Sequence, residues 1–89
     1  MGAPARSPKE GARARGMLEY AIVNIKTGEL VDHDIWAGNI PTRAIFTPST
    51  MLPTIVRETL DLNDIVLPKN VYTMELAEKE ILVIWGGDC

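Results

Sequence analysis

LEYAIVNIKTGELVDHDIW, residues 18–36, decides the fold. Its first eight residues are rich in β-branched and aromatic side chains, KTGE follows with Gly28 free to take positive φ, and ELVDHDIW resumes an extended pattern. That order predicts a β-hairpin. In the first strand Tyr20 and Ile22 are apolar on one side and Ala21, Val23 and Ile25 on the other, which predicts an interior strand covered on both faces. In the second, Val31, His33 and Ile35 alternate with Asp32 and Asp34, flanked by Leu30 and Trp36.

Downstream, AGNIPT reads as a turn and RAIF as a short strand stopped by Pro48. Leu52, Ile55, Val56, Thr59 and Leu60 then fall at i, i+3, i+4, i+7 and i+8, the stripe of an amphipathic helix. Thr50 is its expected cap, with Pro53 tolerated in the first turn. The run Ile65 to Leu67, stopped by Pro68, reads as an edge strand or an extended connection. A second hairpin follows. VYTMEL places Tyr72, Met74 and Leu76 opposite Val71, Thr73 and Glu75, AEKE turns, and ILVIW leads into Gly86 and Gly87. The expected fold class is α+β: two antiparallel hairpins and a short strand in one small sheet or half-open barrel, with a single packed helix.

Upstream, residues 1–16 hold no aliphatic side chain larger than alanine after Met1, so this stretch is expected to be disordered. It carries Arg6, Lys9, Arg13 and Arg15 against Glu10, a net charge of +3. It reads either as a basic arm for an acidic surface or as an upstream extension with Met17 as the natural start. Residues 17–89 form the expected single domain, because a chain of 89 residues builds one core at most. That domain has five basic residues against eleven carboxylates, a net of −6, which opposes a phosphate backbone unless arginines gather on one side. A core this small also favours self-association, with a homodimer as the expected form.

Cys89, the only cysteine, excludes an intramolecular disulfide and a multi-cysteine zinc site. No apolar run approaches the ~18 residues of a membrane span, and residues 1–16 lack the apolar core of a secretory signal. A cytoplasmic protein without membrane contact is expected.

Asp32-His33-Asp34 has the residue types of a metal site or an acid–base pair. On a strand, however, His33 faces away from both aspartates, so the plainer reading is a solvated polar edge with a histidine at the rim. Cys89 follows two glycines and an aspartate, where nothing fixed would lower its pKa. Gly86-Gly87 has no helix behind it to gather amides around a phosphate. No catalytic residue, cofactor or metal ligand is therefore assigned. The remaining candidates are contact residues: Trp36 and Trp85 as aromatic anchors or core, and Glu75, Glu78 and Glu80 as an acidic patch for a basic partner.

Two stretches resemble known families. From Trp36 onward, Gly38-Asn39, Pro48, Arg57, Leu60 and Leu62 resemble the swapped-hairpin antitoxins and transition regulators (MazE-like and AbrB-like). That resemblance implies an intertwined DNA-binding dimer, with Arg43 and Arg57 as its available basic residues. The end of the chain, NDIVLPKNVYTMELAEKEILVIWGG, resembles the β-grasp sulfur carriers (ThiS-like and MoaD-like). This one implies an activated carboxyl terminus at Gly87 once Asp88 and Cys89 are removed. The function expected from the residues themselves is a small non-enzymatic binding or regulatory protein acting through protein–protein contacts, its partner unnamed.

Overall fold

The computed structural model describes residues 18–62 and 65–86. The expected basic tail and domain start at 1–17 and the Gly87-Asp88-Cys89 end lie outside them. Five strands, β1 (Leu18–Asn24), β2 (Leu30–Trp36), β3 (Ile45–Pro48), β4 (Asn70–Glu75) and β5 (Glu80–Gly86), and one helix, α1 (Thr54–Leu62), follow in chain order. The strands form one sheet in the order β2-β1-β5-β4-β3, antiparallel at every step and not closed into a barrel. Both expected hairpins are present, and the strands that join them, β1 and β5, are the most apolar of each pair. The RAIF strand becomes β3, the edge beyond β4.

Alternation assigns each strand residue to a face. Glu19, Ala21, Val23, Val71, Ile81, Val83 and Trp85 share one face, and all are buried. Against it pack Leu52, Val56, Leu60 and Ile65, with Ile55 and Leu67 at the margins. The first three belong to the helical stripe read from the sequence. The helix starts later than expected: Ser49–Met51 form a 3₁₀ turn and α1 begins at Thr54, directly after Pro53. Proline excludes the preceding residue from helical geometry, and Leu52 is accordingly extended at ψ 149°. The Pro53 carbonyl then accepts the first helical N–H groups, from Val56 and Arg57. Residues Ile65 to Leu67 join no strand of the sheet, so the edge strand weighed for them is absent and they serve as a connection toward β4.

Residues 49–62 and 65–69 thus form an excursion between β3 and β4 laid over one face. Its neck is closed where Lys69 O accepts from Ser49 N at 2.7 Å and from Ser49 Oγ at 2.9 Å. Its far end is hooked to the first hairpin, where Thr59 Oγ1 donates to Gly28 O at 3.0 Å. Gly28 takes the left-handed φ of 80°, and a Cβ there would meet Ile55 Cδ1 at 3.1 Å. Gly28→Ala should therefore lose about 1–2 kcal/mol of stability, read as a lower urea midpoint with unchanged slope.

No helix or strand among the described residues packs on the other face, so the two-sided cover expected for β1 is found on one side only. This second face carries Leu18, Tyr20, Ile22, Trp36, Phe46, Tyr72 and Met74 around Leu82 and Ile84, which are buried among their neighbours, with Asp32, Asp34 and Glu80 toward its margins.

Candidate functional site

The Asp32-His33-Asp34 triplet is divided by the pleat. His33 lies on the helix-covered face, where its Nε2 is 3.3 Å from Glu19 Oε1. Its ring stacks on Trp85 at a centroid distance of 5.8 Å with the planes 8° apart. Glu19 is only 2% exposed. A carboxylate so buried needs a hydrogen-bonding partner, and cross-strand neighbours supply it: Glu19 pairs with Ile35 and Trp85, and His33 is diagonal to it on β2. Sequence reading passed over Glu19. The signal was present, because Glu19 precedes Ala21 and Val23 at the same inward parity.

The aspartates do something else. β2 is an edge strand, so alternate N–H groups face away from β1. Those of His33 and Ile35 are each taken by the carboxylate of the preceding residue, Asp32 Oδ1 and Asp34 Oδ1, both at 2.8 Å. The edge is thereby closed to a further strand. The other edge, β3, has four residues and ends in Pro48, which has no N–H to offer. Among the described residues no three His, Cys, Asp or Glu side chains gather as a metal-holding set.

Asp32 has a second role. Its Oδ2 accepts from the Tyr20 hydroxyl at 2.7 Å. That bond, with some burial and the nearby Asp32 and Asp34 charges, raises the Tyr20 pKa from 10.0 to about 12. Tyr20 stands edge-on to Trp36, with centroids 5.8 Å apart at 78°. On the other side of β5, Phe46 and Tyr72 form a second aromatic pair at 5.0 Å. Between the pairs lie Leu82 and Ile84, and Ile84 is flanked by Tyr20 on β1 and Tyr72 on β4. At the lower end, where β5 stops in Gly86, a groove of about 360 Å³ opens between Leu18, Phe46, Tyr72 and Ile84, with Lys69 and Asn70 at its rim.

The other sequence candidates are dispersed. Trp85 is 3% exposed and belongs to the core, while Trp36 is half-buried on the second face. Glu75 and Glu80 fall on opposite faces by alternation, and Glu78 sits at the turn tip with a left-handed φ of 64°. These three carboxylates therefore do not form one patch. Arg43 is exposed in the β2–β3 connection. Arg57 is tied locally, donating from Nε to Leu52 O at 3.2 Å and from Nη2 to Thr54 Oγ1 at 3.1 Å.

Set against known proteins, the chain matches no family model, no curated protein and no solved structure. The contacts themselves can be measured. His33→Ala removes a partner of a buried carboxylate and half of a ring stack, for an expected loss of about 2 kcal/mol in urea unfolding. In a Tyr72→Phe background, Asp32→Asn should move the Tyr20 titration from about 12 back toward 10.0, read by tyrosinate absorbance. Because the folded pKa is the higher one, the stability tied to this proton is complete below the unfolded value and is lost as pH rises toward 12.

Proposed function

We propose that this chain is a non-enzymatic binding or regulatory protein of the cytoplasm that acts through protein–protein contacts made by the second face of its sheet. One observation carries the reading. An antiparallel sheet with a single covered face ordinarily turns a polar face to water. Here the second face is largely apolar, with Leu18, Tyr20, Ile22, Trp36, Tyr72 and Met74 half-buried around a buried Leu82 and Ile84, and with Phe46 60% exposed. Contiguous apolar surface of this kind marks contact sites, and Trp and Tyr are the residues that most often anchor them. Both sheet edges are blunted, by the aspartates on β2 and by the shortness and terminal proline of β3. Contact through the face is therefore favoured over strand addition.

No helix among the described residues is long and apolar enough to cross a membrane. The homodimer expected from the small core is one form such a contact takes, and a different protein is the other.

A photo-crosslinking residue in place of Phe46 tests the proposal in cells that express the chain. The same residue in place of Glu58, on the exposed side of α1, is the control. A covalent adduct with a protein, including a second copy, is expected from position 46 and not from 58. Equal yields at both positions, or no adduct at 46, would overturn the reading.

A further inference from the structure

The charge on the second face identifies the kind of partner it suits. By alternation, the strand residues of this face include three carboxylates, Asp32, Asp34 and Glu80, and no cation. Lys69 stands at the lower rim, beside the groove between Phe46 and Tyr72. The surface therefore combines an apolar, aromatic floor with negative charge along the β2 side and at the β4–β5 turn end. A second copy packed face to face would bring six such carboxylates together against two lysines, an arrangement that like-charge repulsion opposes.

A strand is an equally poor fit, because both edges are blunted. A helix suits the dimensions. Five strands spaced about 4.8 Å apart give a face roughly 20–25 Å across, the length of a helix of about 14–16 residues at 1.5 Å per residue. This chain already covers its first face with a helical stripe, Leu52, Val56 and Leu60.

We propose that the second face takes an amphipathic α-helix of another protein, its apolar stripe seated on Ile22, Phe46, Tyr72 and Met74 and flanked by Lys or Arg that meet Asp32, Asp34 and Glu80. The proposal rests on the protein-contact reading above and adds the partner's conformation and charge. Residues 1–17 are basic, but they lack the apolar stripe that this floor requires.

The test is selection of binders to the immobilised full chain from a displayed library of random 16-residue peptides. Affinities of the synthesised winners are then measured at low and high salt. The expected winners are amphipathic and rich in Lys or Arg, gain helical circular dichroism on binding, and bind more weakly as salt rises. They should lose affinity at least tenfold with Phe46→Ala. With Asp32→Asn, Asp34→Asn and Glu80→Gln combined, the expected loss is about tenfold, since each exposed pair contributes a small factor. Asparagine keeps an oxygen for each β2 edge N–H, and the salt series on the unaltered chain tests the same charge contribution should the triple variant not fold.

Winners that are neutral or acidic, or that bind through Phe46 without salt dependence, would overturn the basic-helix proposal and leave face contact standing. Winners indifferent to Phe46→Ala, or none above an unrelated protein, would overturn both. A stable dimer broken by Phe46→Glu would make the second copy the occupant. Displacement of the winners by a synthetic peptide of residues 1–17 would make that segment the occupant instead. Either result would overturn the proposal.

Discussion

The ladder between β1 and β5 is the interaction on which the rest of this structure depends. Each hairpin is local in sequence and would be marginal alone. They become one sheet because their apolar strands pair, from Leu18 opposite Gly86 to Asn24 opposite Glu80. That pairing puts Ala21 beside Val83 and Val23 beside Ile81, and gives the helix a continuous apolar surface on which Val56 and Leu60 become fully buried. It also sets Tyr20 and Tyr72 on either side of Ile84, so the same ladder builds the second face. One pairing step thus organises both faces of the sheet, and the one α-helix among the described residues covers the first.

Much of this was legible in the sequence, and the reasons are specific. Both hairpins could be read because β-branched alternation is interrupted at KTGE and AEKE, and Gly28 supplies the positive φ that the first turn uses. The stripe from Leu52 to Leu60 named the buried side of α1 because helical periodicity survives whatever it packs against. The helix start was misplaced by Pro53. A proline suits the first helical turn as well as the position before it, and only the extended Leu52 decides between them.

The candidate site was less legible, because contact chemistry here is made across strands. Asp32-His33-Asp34 looks like one motif along the chain but is split between faces in the sheet. Its histidine meets Glu19, fourteen residues earlier, and its aspartates close an edge whose existence depends on strand order. Strand order is a non-local outcome that alternation does not encode. The acidic run around the second turn was similarly read as one feature, although period two sends Glu75 and Glu80 to opposite sides. Trp85 and Trp36 look alike in sequence, yet parity places one in the core and the other on the second face.

The two faces of this sheet differ in cover, and hydroxyl-radical footprinting of the full chain, read residue by residue by mass spectrometry, measures that difference. Aromatic and sulfur-containing side chains react fastest, and the chain places such residues on both sides. Strong labelling of Phe46 is expected, with measurable labelling of Tyr72 and Met74, while Trp85, Leu52 and Val56 stay protected. Protection of Phe46, Tyr72 and Met74 to the same degree as Trp85 would contradict the difference in cover, because the second face would then already be covered within the chain.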